Sequence, residues 1–487
     1  MGAHHLAGSQ HVKWEDTPAV FVQPLSTDLV WQTNTEFANV SRGRVICAQR
    51  MKKKWLNFFS GYKRHALILV SGSVLAQGLL IGTSPILTRL YDPAAFGLFA
   101  LFMAIVGALN PVVCGKLDVA LVLPKKDEDS AHLTGLAIQF VLGVSLLLFL
   151  ISVFFHTGLK ELLKADRLGI WYYLTAVGLL LSGGFQVFSG VSNRFQQYTA
   201  MARSNVLRAV ANTLVKIGGG CLHLGLGGLI AGQLVGLIAG MTYLFAVQKG
   251  KWTSRVFARS PDKKRNFIRY KDFPLYNASS GVLGGLLLSL PVFFIAHRYS
   301  EDLLGQFALT VRVVMMPSVF LSVAISQVNL KRVVDLVNAR RSALPFVLKS
   351  SAMLGAIVIL PMLVLWFWGA PLFVWAFGAK WAAAGKMAAY LSGMITIRFV
   401  ASTMSSVLAA TRNNGISAVW RIVTLCTMTG VFAWSTAHGD IYFCIKAYAV
   451  HDAVMYSIIW LCTCWAAAHP KNHLEGDATP PPPAPAT

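Results

Sequence analysis

Apolar residues in this chain fall into twelve blocks of about twenty, at roughly 66–88, 96–115, 133–155, 169–189, 204–222, 226–247, 275–296, 303–326, 345–368, 385–408, 417–436 and 441–465. Twenty residues rising about 1.5 Å each span the hydrocarbon core of a bilayer. In hydrocarbon a backbone must satisfy its own polar groups, so only helices and closed barrels cross it. Ten-residue segments of alternating polarity, the mark of a barrel, are absent. The charged share is 13%, about half that of a soluble domain, and too small to coat a globule of this size in water. The expected fold is all-α and polytopic, with about twelve transmembrane helices.

The formal net charge of +23 would point to nucleic acid in a soluble chain. Its distribution points elsewhere. With a cytoplasmic N-terminus, the inner loops and helix ends carry twenty-eight Lys and Arg, nine of them in 249–272, against eight on the opposite side. Such a bias orients a membrane protein with its basic loops inside, where an anionic leaflet attracts them. Both termini are then cytoplasmic, and no nucleic-acid partner is expected.

A short pattern occurs twice. "YDPAAFGLFAL" begins at Tyr91 and "YSEDLLGQFAL" at Tyr299; both read Y-x5-G-x-F-A-L, with Gly97 and Gly305 in register and Pro85 and Pro291 ahead of them. Six blocks separate the copies, so both cross the membrane in the same direction. That is the signature of a parallel repeat. It predicts two six-helix bundles, at 66–248 and 275–465, joined by a basic cytoplasmic linker at 249–274. Residues 1–65 form an extension and lead-in, and 466–487 a proline-rich cytoplasmic tail.

Ionisable residues inside the blocks are few. Lys216 and Arg398 fall near the bilayer centre, and Arg312 about 10 Å below one helix end by the α-helical rise. A central cation costs on the order of 3 kcal/mol and usually faces a wet cavity or a partner. The carboxylates near them are Asp118 and Asp452, candidates for coupling to an ion. Either an anionic ligand satisfies the remaining positive charge, or the side chains snorkel or meet backbone carbonyls. Asn205, Arg208, Asn212 and Lys216 form a polar stripe on one face of the fifth helix. Gly228, Gly232, Gly236 and Gly240 form a close-packing face on the sixth.

Other chemistries find little support. No G-x-x-x-x-G-K-[ST] cradles a nucleotide phosphate, and no H-E-x-x-H, G-x-S-x-G or Asp/His cluster appears. The seven cysteines show no zinc-ligand spacing. The chain is not expected to be an enzyme or to hold a cofactor or metal. Residues 1–50 lack the apolar core of a signal peptide; "MKKKWLNFF" at Met51 reads as the more natural start, which makes 1–50 dispensable.

The run from Ser84 to Leu133 resembles bacterial polysaccharide flippases, the O-antigen and capsule repeat-unit translocases of the multidrug/oligosaccharidyl-lipid/polysaccharide exporter superfamily. The pattern P-x-L-T-R-L-Y-x-P-x-x-F-G-x-F-A-L is met from Pro85 through Arg89 to Leu101, and A-x-V-L-P-x-x-D from Ala120 to Asp127. Many relatives have Tyr-Glu before that alanine, where this chain has Leu117-Asp118. Further resemblance lies in "GQFALTVRVVMMPSVFLSVAISQV" and around "IRFVASTMSSVLAATRNN". The resemblance implies two bundles of twelve to fourteen helices in all, around a cavity opening alternately to each side of a bacterial inner membrane. The implied cargo is a polyprenyl-diphosphate-linked oligosaccharide, flipped for lipopolysaccharide O-antigen, capsule or exopolysaccharide synthesis. Candidate cargo-binding cations are Lys216, Arg312, Arg398, Arg208 and Arg89. Membrane lipid, a polysaccharide polymerase and chain-length proteins are the expected partners. The competing readings are an ion-coupled multidrug exporter of the same superfamily, which should carry acidic cavity residues, and a membrane glycosyltransferase or polymerase, which the short outer loops oppose.

Overall fold

The computed structural model describes residues 71–155, 158, 165–248, 261–339 and 341–469. The expectations for 1–50, for a start at Met51 and for the proline-rich tail lie outside those residues. Along the chain run α1 (71–82), α2 (Ser84–Leu90), α3 (Pro93–Leu109), the short α4 (Leu117–Ala120), α5 (Asp127–Phe154), α6 (Leu174–Arg194), α7 (Tyr198–Cys221) and α8 (Leu226–Gln248). The short α9 (Pro261–Arg269) precedes α10 (Ala278–Arg298). Then come α11 (Glu301–Thr310), joined through a π turn at Val311–Met315 to α12 (Met316–Asn338), and α13 (Leu344–Phe377). The last are α14 (Ala382–Met404), α15 (Ser406–Ala410), α16 (Asn414–His438) and α17 (Ile441–Ala468). This is an all-helical, multi-pass membrane protein.

Nine of the described helical stretches are long and apolar enough to cross a membrane. The apolar α3 is shorter, at 17 residues. The 24-residue α7 is long enough but falls outside the nine, because its polar stripe lowers its hydropathy. Large side chains that face outward, such as Leu146, Phe149, Ile357, Leu360 and Phe367, suit hydrocarbon rather than water.

Local signals explain the helix ends, and several depart from the apolar blocks. Prolines occupy the first turns of α2 and α3, where a missing N–H costs nothing. The chain leaves α3 at Leu109, short of the block ending at 115. There Gly115 and Lys116 adopt left-handed φ of 58° and 55°, a conformation that turns the chain rather than continuing a helix. Ser300 caps α11 by accepting from the Leu303 N–H at 3.3 Å, and Asp440 caps α17 by accepting from Phe443 at 2.8 Å. The span beginning at Glu301 runs to Asn338, well past the block ending at 326. The linker expected over 249–274 contains a helix: in α9, buried Asn266 donates to Asp129 at 3.0 Å, and Phe267 stacks on Phe140 of α5.

The glycine face of α8 packs as expected. A Cβ at Gly232 would lie 2.8 Å from the Asn212 carbonyl, and one at Gly236 2.8 Å from that of Arg208, both on α7. Small residues there let two backbones approach, as at other membrane helix interfaces.

The repeated motif has a more demanding role. Gly97 of α3 and Gly305 of α11 sit against each other. A Cβ on Gly97 would strike the Glu301 carbonyl and lie 2.9 Å from the Gly305 nitrogen; one on Gly305 would strike the Pro93 carbonyl and lie 3.1 Å from the Gly97 nitrogen. Residues 93 and 301 correspond in the repeat, as do 97 and 305, so each copy makes on the other the contact it receives. This is the reciprocity of a two-fold interface, within one chain. The paired tyrosines also act alike. Tyr91 donates to the Lys216 carbonyl at 2.6 Å, and Tyr299 to the Gly439 carbonyl, at the end of α16, at 3.1 Å.

Other contacts close the same end. Trp381 is fully buried, donates to the Thr88 carbonyl at 3.0 Å and meets the Phe96 ring edge-on at 5.1 Å. Lys380 pairs with Asp92 at 2.6 Å, and Arg167 with Glu301 at 3.6 Å. These pairs are solvated, so each contributes about 1 kcal/mol at most; the glycine crossing and the Trp381 contact hold this end together. Gly97→Ala and Gly305→Ala should each lower stability by about 1–3 kcal/mol, the usual cost of overpacking. Gly430→Ala, where nothing lies within 4 Å of the added carbon, should be neutral or stabilising. Thermal unfolding of the purified protein in detergent checks all three.

Candidate functional site

Below the glycine crossing, α10 lies along α3: Ser289 donates to the Ala104 carbonyl at 3.0 Å, and a Cβ on Gly285 would sit 2.8 Å from the Ala108 carbonyl. Beside this seam is a cavity of about 490 Å³, bounded by α1, α3, α7, α8, α10, the π turn after α11, α14 and α17. The repeat contributes equivalent wall positions, Phe99 with Ala100 and Phe307 with Ala308. The motif therefore divides its labour: tyrosine ties to the fifth helix of its own segment or that helix's end, glycine makes the crossing, and the Phe-Ala pair lines the cavity.

Three of the five candidate cations, Lys216, Arg312 and Arg398, line this one cavity. Lys216 is 3% exposed, with its Nζ 4.3 Å from the centre of the Phe99 ring. That contact is worth about 2 kcal/mol when desolvated, less than a full ionic partner, and no carboxylate pairs with Lys216 among the described residues. Arg312 sits on the π turn, and its Nη2 donates to the Leu80 carbonyl of α1 at 2.8 Å. Local π geometry of this kind is frequent at functional sites. Leu80 precedes the break at Thr83, and its carbonyl also accepts from the Ser84 hydroxyl at 3.2 Å. Pro85 has no N–H to continue the helical ladder, and hydroxyl and guanidinium donors gather at the break.

Arg398 differs from the sequence reading. It has a carboxylate partner: its Nη1 lies 3.2 Å from Asp452 Oδ2, donates to Tyr448 Oη at 3.4 Å, and its guanidinium stands 5.1 Å above the Tyr456 ring. Seen in sequence, Asp452 is 54 residues away; α14 and α17 bring the two together. Asp452 therefore serves a buried pair with Arg398.

The remaining candidates do not line the cavity. Arg208 lies over the Phe185 ring at 4.9 Å. Arg89 is exposed at the end of α2. Asp118, on α4, accepts from the Cys114 thiol at 3.2 Å. Pro291 is in the cavity wall, and Pro85 is not. Of the polar stripe on α7, Asn212 and Lys216 line the cavity, Asn212 donating to Gln233 of α8 at 2.8 Å, whereas Asn205 donates to Ser73 at 3.4 Å. Sequence reading missed Gln233, Tyr448 and Tyr456, whose polar atoms are unremarkable in sequence and matter through their neighbours. Phe99 and Phe307 were visible as part of the repeat.

Residues 86–386 match the family described as polysaccharide biosynthesis protein. The chain belongs to that family. The succinoglycan biosynthesis transport protein ExoT of Rhizobium meliloti (strain 1021) is 22% identical over 407 residues, covering 81% of this chain and 76% of the relative. In fold this family member is similar to the lipid II flippase MurJ in an inward closed conformation, with a TM-score of 0.64 at 13% identity over 82% of this chain and 86% of that one. It is also similar to an inward-facing MATE family multidrug resistance transporter of the MOP superfamily, with a TM-score of 0.59 at 14% identity over 82% and 94%. A MOP superfamily transporter from Pyrococcus furiosus gives 0.56 at 13% over 83% and 96%. The fold is that of the multidrug/oligosaccharidyl-lipid/polysaccharide exporters.

The buried pair makes a quantitative prediction. Arg398→Ala leaves Asp452, which is 3% exposed, as an uncompensated buried charge, and should cost about 3–5 kcal/mol, as should Asp452→Ala. The double substitution should cost less than the sum of the two. A double-mutant cycle on thermal unfolding in detergent reads the coupling.

Proposed function

We propose that this chain flips polyprenyl-diphosphate-linked oligosaccharide repeat units from the inner to the outer leaflet by alternating access, for surface polysaccharide synthesis. The observation that carries the reading is the cavity itself, which Lys216, Arg312 and Arg398 line with no carboxylate among its described residues; Asp452, which Arg398 engages, lines the adjoining chamber. A diphosphate brings the negative charge such a chamber lacks. Arg312 offers forked donors that suit phosphate oxygens, and Lys216 a point charge. Family membership, the transport function named for ExoT and the lipid-carrier function named for MurJ point the same way.

In this reading twelve helices form two six-helix bundles, 66–248 and 275–465, joined by the 249–274 linker. The membrane in this reading is the bacterial inner membrane, and the charge bias favours cytoplasmic termini with the Tyr91/Tyr299 end outward. The glycine crossing and its flanking ion pairs then act as the outer closure, which must part for the cargo to leave. The polyprenyl tail stays in lipid while the headgroup crosses. A polymerase and chain-length proteins would receive the product. A multidrug exporter carrying cationic compounds is disfavoured, since a cation would enter a chamber already in cationic excess.

Lys216→Ala and Arg312→Ala should each reduce surface polysaccharide at least tenfold in a complemented deletion strain, at unchanged protein level in the membrane. Arg312→Lys should recover only part of that loss, because a lysine cannot offer the forked geometry. Wild-type export from both alanine variants would overturn the reading. For orientation, a cysteine placed at position 262 in a cysteine-free background should resist an impermeant thiol reagent in intact cells and react after permeabilisation.

A further inference from the structure

Two further chambers adjoin the cationic cavity, of about 290 and 280 Å³, and all three share Arg398 and Leu288 in their walls. These are richer in hydroxyls than the first, which has Ser289 and Tyr448. Ser318, Ser322 and Ser326 repeat at i, i+4 and i+8 along α12 and face Ser402 and Ser405 at the end of α14; Thr424 of α16 lines the third chamber. Most of these hydroxyl hydrogens are already committed. Ser318 donates to the Val314 carbonyl at 3.2 Å, Ser326 to Val323 at 2.8 Å, Ser402 to Phe399 at 3.2 Å and Ser405 to Ser402 at 2.7 Å. Ser322 meets the Ser402 and Thr403 hydroxyls at 2.7 Å each, and each serine oxygen still keeps at least one lone pair for an incoming donor. The wall is thus rich in acceptors. Thr424 is the exception: it is 2% exposed and its Oγ1 has no hydrogen-bond partner among the described residues.

Aromatic faces complete the chamber. Tyr456 lines both side chambers and stands edge-on to Trp420 at 5.1 Å, while Trp420 is held by its donation to the Met455 carbonyl at 2.8 Å. A ring of hydroxyl donors with apolar C–H faces is the chemistry of a sugar. We infer that the side chambers form the glycan subsite of the cargo, with the diphosphate in the Lys216–Arg312 cavity and Arg398 at the junction between them. This assignment rests on the proposed flippase function and extends it. An acyl chain there would leave the buried Thr424 hydroxyl without a partner. A metal cation is opposed because Asp452, the only carboxylate lining these chambers among the described residues, is held by a guanidinium at 3.2 Å.

The test uses the full chain, purified in nanodiscs, with two probes: undecaprenyl diphosphate without sugar, and the lipid-linked glycan fraction extracted from the host's own membranes. Thr424→Val keeps the shape and removes the hydroxyl; Ser402→Ala and Ser405→Ala do the same on α14 and its end. Each should weaken binding of the glycan fraction about tenfold while leaving undecaprenyl diphosphate binding unchanged, and Thr424→Ser should restore it. Thr424→Val should also hold or raise the thermal midpoint without ligand, because it removes an unpartnered buried hydroxyl. A structural role predicts the opposite. Equal losses for both probes, or no loss for the glycan fraction from Thr424→Val and Ser402→Ala, would overturn the assignment; Ser405→Ala carries the comparison if Thr424→Val does not fold. Lys216→Ala should weaken both probes. If it weakens neither, the flippase reading fails, while the ratio between probes still decides the glycan subsite.

Discussion

The contact between Gly97 and Gly305 is the constraint from which the rest of the architecture follows. Two helices in hydrocarbon gain nothing from excluding water, so they associate through close packing. Here the packing is backbone against backbone: each glycine faces a carbonyl of the other helix with no room for a side chain. Once α3 and α11 cross at that point, the next residues of each copy, Phe99-Ala100 and Phe307-Ala308, fall on the wall of the cavity beside the crossing. Tyr91 and Tyr299, six residues before each glycine, are directed to α7 and to the end of α16. One close approach therefore sets the position of the cavity wall and ties each copy to its own fifth helix.

The reciprocal nature of that contact also separates strength from steering. The exposed Lys380–Asp92 and Arg167–Glu301 pairs are too solvated to hold two halves together. They are well suited to choosing register as the surfaces meet, since long-range attraction acts before close packing does. In the proposed alternating-access cycle, a closure built this way parts without leaving buried charges behind. The glycines leave no side chain to be repacked, and the ion pairs exchange one solvated environment for another. Trp381 is the exception, because its indole N–H gives up the Thr88 carbonyl and must find a new partner.

Much of this was legible in the sequence for a physical reason. Hydrocarbon imposes a length and polarity rule on each span, so each of the twelve apolar blocks contains a helix in its described residues, and the duplicated motif marked the helices that cross. What escaped were features decided by tertiary neighbours. The block at 96–115 ran on past Leu109 because Val112, Val113 and Cys114 are as apolar as a helix interior; the left-handed Gly115-Lys116 turn, not polarity, ends the span. The block at 303–326 stopped short because Ser326, Gln327 and Asn329 dilute its hydropathy, although helical geometry continues to Asn338. Lys216 and Arg312, singled out by depth, both line the cavity. Arg398 was singled out for the same reason, but its link to Asp452 depends on α14 meeting α17, and pairing across helices leaves no trace in local spacing.

The two ends of the cationic surface are therefore unlike, and in the proposed flippase this bears on how an anionic cargo is both held and released. Arg398 is neutralised by Asp452 and steadied by Tyr448 and Tyr456, so its position is stiff and its net attraction for an anion is weak. Among the described residues, Lys216 has the Phe99 ring beneath its ammonium and no carboxylate paired with it. A buried cation on that footing is under-satisfied by an amount comparable to the cost of a central membrane charge, on the order of 3 kcal/mol, less the ring's contribution of about 2 kcal/mol. That residual is small enough for the protein to fold around it and large enough to favour an anion when one arrives. Three fully unpaired cations would grip a diphosphate too tightly to release it. Pairing one of them internally keeps the binding step reversible, which a carrier requires and a storage site does not.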